Sequence, residues 1–379
     1  MPSSIENVNV SKVSRCALIA VLVACSSVAA GCGSSGSSSD AGFDAGVAHP
    51  DGAAHPDAAV QPDGAAHPDA APPRADAAPA PADFWDRSDI PAATQVMTFK
   101  FLNRTNGKLD DGQIFWGFHS GAISELHSIA EKSSYDMPAN ASGRMYFYLC
   151  PQGEASCATD PSKSKYFDFI EHTIGASQYN GNTTRVDAFG VKIAMLLHCA
   201  DGFEATVGED YQTFLEDRAA TFQRFIDEVP AEFEHLAKAP FAPYRIVEPG
   251  AGEFKTGGLY EHYYDSFVDA LWAANGITVA KPGPNGSGLG AEPNLSAAIF
   301  RHVGAAAGTF TGDGKLANQQ LWANPSTFYS GPPANYYAKF WHDHGISGKA
   351  YGFPYDDVGS YSTYISRANP QYMIVAIGW

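Results

Sequence analysis

The chain has 379 residues, of which 45% are hydrophobic, 12% aromatic and 17% charged, with a formal net charge of −17. Residues 1–82 hold eight acidic groups against three basic ones, leaving 33 acidic and 21 basic residues in 83–379, a net −12. An acidic body with no basic run argues against nucleic acid, whose phosphates need Lys and Arg to replace released counterions, and against a polybasic hold on anionic lipid. All six Trp lie beyond residue 82, in a stretch long enough to bury a large core. An aromatic-rich, charge-poor body suits an exported protein that handles neutral ligands.

Lys12 and Arg15 precede an apolar run, Ala17 to Ala24, followed by small residues to Gly31. That order is an export signal, predicted over 1–32, and the run is shorter than the ~20 apolar residues of a membrane span. Ala29-Ala30-Gly31-Cys32 resembles the lipobox of bacterial lipoproteins and predicts lipid attachment at Cys32. Leu22-Val23-Ala24-Cys25 is the competing box, and plain cleavage without lipid is the third reading. The expected location is secreted or on the cell surface, as an outer-membrane type of lipoprotein.

Residues 33–82 are low in complexity, with a six-residue period between 49 and 72 that repeats His-Pro-Asp-Gly-Ala-Ala and close variants. No unit offers a side chain large enough to repay the entropy of ordering, so a disordered tether is expected. Its reach runs from about 40 Å as a coil to about 150 Å as polyproline helix. In the body, Cys150 and Cys157 flank Pro151-Gln152-Gly153, a spacing that suits a short bridge and leaves Cys199 as a buried thiol. Zinc-finger spacing is missing from the sequence.

Residues 96–102 alternate, with Val96, Thr98, Lys100 and Leu102 on one side and Met97, Phe99 and Phe101 on the other, which predicts a half-buried strand. Ile114–Phe118, Arg144–Leu149 and Val191–Leu197 are further strands separated by Gly, Asn and Pro clusters. The period then becomes helical through Tyr211, Phe214, Leu215, Phe222, Phe225, Ile226 and Val229, closing at Pro230. It is helical again from Tyr264 to Trp272, with a stop at Asn275-Gly276. After residue 330 the chain is expected to return to strands, ending in Tyr372–Trp379. The predicted fold is mainly β with an α/β insertion: a sandwich or barrel from 83–205 and 331–379, a mixed helix-containing domain at 206–330, and a wide cleft between them.

Two segments carry the chemistry. Tyr166-Phe167-Asp168-Phe169-Ile170-Glu171-His172-Thr173 and Asn182-Thr183-Thr184-Arg185-Val186-Asp187-Ala188-Phe189-Gly190 each set a carboxylate among apolar residues, with a turn at Asn180-Gly181 between them. Adjacent strands would bring both carboxylates to one cleft. Glycosidic hydrolysis needs such a pair, one protonating the leaving oxygen and the other activating water or attacking. A solvated rim or an ion pair uses the same residues, and the segments alone leave these readings open. Asp187 also shares the parity of Phe189, Val191, Ile193 and Met195, which would aim it at a core face unless Gly190 hosts a bulge or Asp187 stands at the strand's mouth.

The two segments resemble glycoside hydrolase family 64, the endo-β-1,3-glucanases. The matching features are Phe-Asp-Phe-x-Glu-x-Thr at 167–173, Asn-Thr-Thr-x-Val-Asp-x-Phe-Gly at 182–190 and the sixteen-residue interval between Glu171 and Asp187. Gly143–Phe147, Tyr244-Arg245-Ile246, Tyr264–Trp272 and Lys349–Val358 extend the similarity over most of 95–379. Some of these blocks also resemble thaumatin-like proteins. The resemblance implies Glu171 as general acid and Asp187 as general base of an inverting mechanism, with Thr173 and Thr184 on glucose hydroxyls and Asp356 lining the cleft. Where the family has an Asn and a Trp, this chain has Gly175 and Gln178-Tyr179-Asn180, so Tyr179 is the candidate stacking platform. The implied partner is β-1,3-glucan and the implied products are laminari-oligosaccharides, with no cofactor and no metal, in a monomer. The rival reading is a thaumatin-like surface lectin that grips the glucan without cutting it.

Three weaker signals complete the sequence. His342-Asp343-His344 would set two imidazoles on one strand face for a metal, without a third ligand at recognisable spacing. Gly286-Ser287-Gly288-Leu289-Gly290 reads as a loop, since no βαβ unit follows it. Trp116, Trp322 and Trp341 are candidates for stacking on sugar rings, with core packing as the alternative.

Overall fold

The computed structural model describes residues 80–81, 83–151, 157–284, 286, 288–290 and 292–379. The predicted export signal, Cys32 and nearly all of the tether lie outside the described residues, as does Ser287 of the glycine-rich loop. The elements run in chain order β1 (Met97–Asn103), β2 (Ile114–Ser120), β3 (Ile123–Ser128), β4 (Ser134–Met137), β5 (Ser142–Leu149), β6 (Phe167–Ile174), β7 (Gln178–Thr183), β8 (Ala188–Phe189), β9 (Lys192–Cys199) and β10 (Glu204–Gly208). There follow α1 (Tyr211–Leu215), α2 (Arg218–Glu228), α3 (Ala231–Glu234), β11 (Ile246–Val247), α4 (Asp265–Asn275), α5 (Pro293–Phe300), α6 (Tyr336–Asp343), β12 (Ile365–Ala368) and β13 (Pro370–Gly378).

The strands form a five-stranded sheet in the order β10-β9-β13-β1-β4 and a six-stranded sheet in the order β12-β7-β6-β5-β2-β3. One apolar core joins them, with Phe99, Phe101, Met195 and Val375 from the first sheet and Trp116, Phe147, Ile170 and Tyr179 from the second. Facing sheets that share a core make a β-sandwich. Among the described residues neither sheet closes on itself, so the barrel alternative is set aside. The first and last strands lie side by side, β1 parallel to β13.

The alternation at 96–102 gives the strand but not its exposure, because β1 is buried on both faces. The 84–91 segment covers the side that was expected to meet water. Thr98 donates its hydroxyl to the Pro91 carbonyl at 2.9 Å, Lys100 pairs with Asp86 at 3.1 Å, and Leu102 packs with Trp85 and Ile90. The short bridge between Cys150 and Cys157 is present, and Cys199 is a free, buried thiol.

A second apolar cluster gathers the helices and the loops between them, from Phe222 to Phe353, together with Phe189. The helical period from Tyr211 to Val229 is interrupted at Glu216-Asp217 and yields two helices, with Pro230 following the second. The stop at the end of α4 stands where it was expected, with Gly276 in the left-handed conformation at φ 59°. The return to strands after residue 330 is delayed. Residues 336–343 form α6, whose Tyr337, Phe340 and Trp341 fill the helical cluster, and strands resume only at Ile365.

Candidate active site

The site is built on the outer face of the six-stranded sheet. Alternation along β6 sends Asp168, Ile170, His172 and Ile174 inward and leaves Phe167, Phe169, Glu171 and Thr173 outward. In β5 the outward residues are Ser142, Arg144, Tyr146 and Tyr148. The antiparallel register puts Arg144 directly opposite Glu171, with Asn182 of β7 opposite Glu171 on the other side. The Arg144 guanidinium lies over the Phe169 ring at 4.1 Å from its centre.

Asp187 reaches this face by another route. Strands β8 and β9 are not one strand: β8 pairs with β11, whereas β9 lies between β13 and β10 in the other sheet. The chain changes partner at Gly190, where the close approach of the Phe167 carbonyl, 1.9 Å from any added Cβ, admits only glycine. Asp187 therefore does not inherit the parity of β9, and its side chain is 57% exposed. The expected clash between its role and its register disappears.

A buried ion cluster fixes the segment that carries it. Arg185 spends all five of its donors: on Asp168, on both oxygens of Glu209, and on the carbonyls of Thr184 and Val191. Asp168 also accepts the backbone N–H groups of Gly190 and Val191, and Glu209 accepts that of Ile193. From the helical side, the Tyr337 hydroxyl donates to the Arg185 carbonyl at 2.6 Å and the Tyr351 carbonyl accepts the Arg185 N–H at 2.7 Å. Burial lifts the Glu209 carboxyl above its ordinary value even with Arg185 beside it.

Arg144 joins the two candidate catalytic groups. Its Nε donates to Glu171 at 3.0 Å and its Nη1 to Asp187 at 3.3 Å. Burial works against its charge, but the neighbouring carboxylates of Glu171 and Asp187 outweigh that and raise the guanidinium above its ordinary value. Two oxygens bonded to the Nε and Nη1 of one guanidinium lie at most roughly 9 Å apart, a limit that includes both the ~5–5.5 Å carboxyl spacing of direct attack and the ~6.5–9.5 Å spacing that admits a water. Glu171 is 25% exposed and Asp187 57%. The pair thus combines a partly covered carboxyl with an open one.

The other sequence candidates are distributed differently. Thr173 is exposed on the same face, its Oγ1 2.9 Å from Ser142 Oγ. Thr184 is buried, and its hydroxyl accepts the Val186 N–H at 3.2 Å. Tyr179 is not a platform: its inward parity puts the ring in the sandwich core, fully buried, with the hydroxyl 3.8 Å from Met195 sulfur. Asp356 does not line an open cleft. It is fully buried, held by Arg301 at 2.7 Å, by His342 at 3.0 Å and by the Gly352 N–H. Trp116, Trp322 and Trp341 are core residues at 0%, 7% and 2% exposure.

His342 and His344 sit on and just after a helix, not on a strand, and face separate partners, Asp356 and Glu228. Among the described residues no group of three or more His, Cys, Asp or Glu gathers in a way that could hold a metal ion. A cavity of about 530 Å³ bounded by Tyr166, Arg218, Phe222 and Trp379 includes none of the carboxylate-site residues. Glu171, Asp187 and Arg144 lie on the outward face of the sheet, away from that cavity.

The residues that were not singled out as site residues are Arg144, Asn180, Asn182, Tyr364 and Ser366. Cross-strand register is the signal that finds Arg144, Asn180, Asn182 and Ser366, each opposite or on an outward position of β6 or β7, while Tyr364, just before β12, is tied to Asn180 by its hydroxyl.

Known proteins resemble this chain in sequence and fold. The sequence profile of the family described as β-1,3-glucanase, glycoside hydrolase family 64, matches residues 123–279 and 277–377. A glucan endo-1,3-β-glucosidase of Cellulosimicrobium cellulans is 43% identical over 56% of this chain and 45% of its own, so the chain spans about half the length of the curated relatives it matches. The crystal structure of a family 64 laminaripentaose-producing β-1,3-glucanase from Paenibacillus barengoltzii superposes with a TM-score of 0.60 at 31% identity, covering 77% of each chain. The family 64 domain from Clostridium beijerinckii, at 22% identity and TM-score 0.60, has the same fold over 76% of this chain and 100% of its own. With a sandwich fold shared with family 64 structures and a family profile covering most of the body, the chain belongs to glycoside hydrolase family 64.

Proposed function

We propose that the protein hydrolyses internal bonds of β-1,3-glucan by an inverting acid/base mechanism. The observation that carries this reading is the placement of Glu171 and Asp187 on one guanidinium, on an outward sheet face. Glu171, the more covered of the two, must first exchange Arg144 for a proton from solvent, which it then delivers to the glycosidic oxygen as the bond breaks. Asp187, open to solvent, removes a proton from the water that attacks the anomeric carbon from the opposite face. Inversion needs carboxyls ~6.5–9.5 Å apart, room enough for that water, where direct attack uses ~5–5.5 Å. Neither step needs a metal or an organic cofactor.

The relatives support the substrate. The Paenibacillus enzyme was also crystallised with laminarihexaose, and its name gives laminaripentaose as product. A wide cleft with a thaumatin-like sandwich on one side is the finer architecture we propose. Its support is the origin of the pair: Glu171 comes from the sandwich, while Asp187 directly precedes β8, whose Phe189 packs in the helical cluster. On sequence grounds we also propose export through residues 1–32, anchoring by lipid on Cys32, a monomer, and the division into a sandwich and an insert that begins at 206; the insert's expected end at 330 moves to about residue 364, because α6 and Phe353 pack in the helical cluster and strands resume at Ile365.

The test is incubation of the full chain with linear β-1,3-glucan, followed by product analysis, alongside Glu171→Gln and Asp187→Asn. Discrete oligosaccharides of inverted anomeric configuration from wild type, and a loss of ~10²–10⁴-fold in each variant, are the expected results. Glucan binding by all three proteins with no new reducing ends would instead identify a lectin.

A further inference from the structure

Two polar rows cross the outer face of the six-stranded sheet. In one, Ser142 stands opposite Thr173, Thr173 opposite Asn180, and Asn180 opposite Ser366 of the edge strand β12. In the next, Arg144 stands opposite Glu171 and Glu171 opposite Asn182. Continuing the β7–β12 register by one pleat sets Tyr364 beside Asn182. Strands lie ~4.8 Å apart, so Tyr364 is about 10 Å from Glu171 across the sheet, the length of one to two sugar rings.

Tyr364 is unusual in this molecule. Among the described residues it is the one aromatic side chain that stands exposed, at 52%. It is nonetheless held on both sides. Thr363 is buried and donates its hydroxyl to the Thr183 carbonyl, and Ile365 is buried in the sandwich core. The Tyr364 N–H donates to Ser362 Oγ at 3.2 Å, and its phenol donates to Asn180 Oδ1 at 3.2 Å. Asn180 Oδ1 also accepts from Ser366, which in turn accepts from Gln178 Nε2. An apolar ring left in water yet fixed by its neighbours is arranged for a flat apolar partner with a polar edge.

The neighbouring Asn182 supplies an independent observation. Its side chain is only 5% exposed, and its Oδ1 has no hydrogen-bond partner. A buried acceptor without a donor is costly unless something fills it. By strand parity it faces the same side as Asn180, between Glu171 and Tyr364.

We propose that Tyr364, Asn182 and Asn180 form a binding subsite for one pyranose ring of a neutral glucan, displaced from the cleavage point toward the β12 edge. The ring's C–H face stacks on Tyr364, and the Asn182 amide, covered in the free protein, turns outward so that one hydroxyl donates to its Oδ1. The direction of displacement makes Tyr364 a determinant of how the chain registers over Glu171, and so of product length. This inference rests on the hydrolase reading above, and it also yields a binding measurement that does not depend on it.

The experiment uses the full chain as wild type, Tyr364→Ala, Tyr364→Phe and Tyr364→Trp, with laminari-oligosaccharides of increasing length. Tyr364→Ala is expected to raise KM about tenfold for oligosaccharides long enough to span the subsite, to leave shorter ones unchanged, to alter the product lengths and to leave kcat within about twofold. Tyr364→Phe and Tyr364→Trp should stay close to wild type. A KM that moves equally for all lengths, or does not move, overturns the subsite. So does a Tyr364→Phe variant as impaired as Tyr364→Ala, since the hydroxyl's bracing of Asn180 would then be the whole effect. If wild type releases no oligosaccharide at all, the hydrolase reading fails, and calorimetric binding of laminarihexaose decides the subsite alone: weaker binding by Tyr364→Ala supports it and equal binding overturns it.

Discussion

Arg144 and Arg185 each hold two carboxylates, and they do so from neighbouring stretches of chain with opposite consequences. In the inner cluster the side chains of Arg185, Asp168 and Glu209 are 3%, 2% and 5% exposed. In the outer one Arg144, Glu171 and Asp187 are 36%, 25% and 57% exposed. Asp168 and Glu171 are three residues apart on β6 and therefore face opposite sides of the sheet; Arg185 and Asp187 are two apart in the segment that follows β7. The inner cluster is saturated, every guanidinium donor spent. The outer one is open, so its carboxylates can exchange Arg144 for a substrate or a water. A charge taken fully out of water is tolerated only with complete pairing, and complete pairing removes it from chemistry. On the proposed mechanism the same residue types serve as rivet and as reactive group, and on β6 strand parity divides them.

The largest separation between the two clusters should appear in activity. Glu171→Gln keeps the shape of the outer cluster and removes its proton transfer, with an expected loss of ~10²–10⁴-fold in kcat on β-1,3-glucan and a stability change within about 1 kcal/mol. Reducing-end assays together with urea unfolding check both halves. The converse applies to Arg185→Met, which leaves Asp168 and Glu209 buried without a cation. It should cost about 3–5 kcal/mol of stability, read as a fall in the denaturation midpoint, and should carry activity down with it because Asp187 loses its anchor. A stable Arg185→Met protein with normal activity would dissolve the distinction.

Much of this was legible in the sequence, and what was not has physical causes. The strand cores and the stop at Gly276 followed from short-range pattern, whereas the carboxylate segments stood out only through the family resemblance. The exposure of β1 did not, because the segment that covers Thr98 and Lys100 has no signature that says where it lies. Tyr179 was misread for lack of register: its parity against β6 turns it inward, and only the pairing shows that. Asp356 looked like a cleft residue because its partners, Arg301 and His342, are distant in sequence, and charge pairing across such distances leaves no local trace. Asp187 was the opposite case. Its parity with Phe189 to Met195 holds only for a continuous strand, which the sequence left open at Gly190, and the change of pairing partner there frees it.

His172 extends the comparison to a titrating group without any partner. It lies on the inward face of β6, with both ring nitrogens unpaired and the ring edge-on to Phe99 and Phe118. Burial lowers its pKa to about 4. The unfolded chain takes up this proton below about pH 6.5 and the folded one only near 4, so stability is full above pH 6.5 and is lost as the pH falls toward 4, by roughly 3 kcal/mol. Unfolding free energies measured between pH 7 and pH 4 for wild type and His172→Phe should diverge at the acid end, the variant losing less. Parallel curves would mean that the imidazole gains a partner when it is protonated.

The smallest effect asks whether the outer cluster needs its guanidinium or only its charge. Arg144→Lys keeps a cation, but an ammonium on a flexible stem cannot reproduce a planar fork whose Nε and Nη1 address two carboxylates at once. If Arg144 sets the relative position of Glu171 and Asp187, kcat should fall about tenfold with KM and the unfolding midpoint little changed, because a partly exposed pair contributes at most about 1 kcal/mol. Arg144→Ala should lose more in kcat, and should also weaken the packing over Phe169. The decisive contrast lies between the two variants. A lysine enzyme as active as wild type would show that charge alone suffices, and the outer cluster would then be a loose counterpart of the inner one instead of a built constellation.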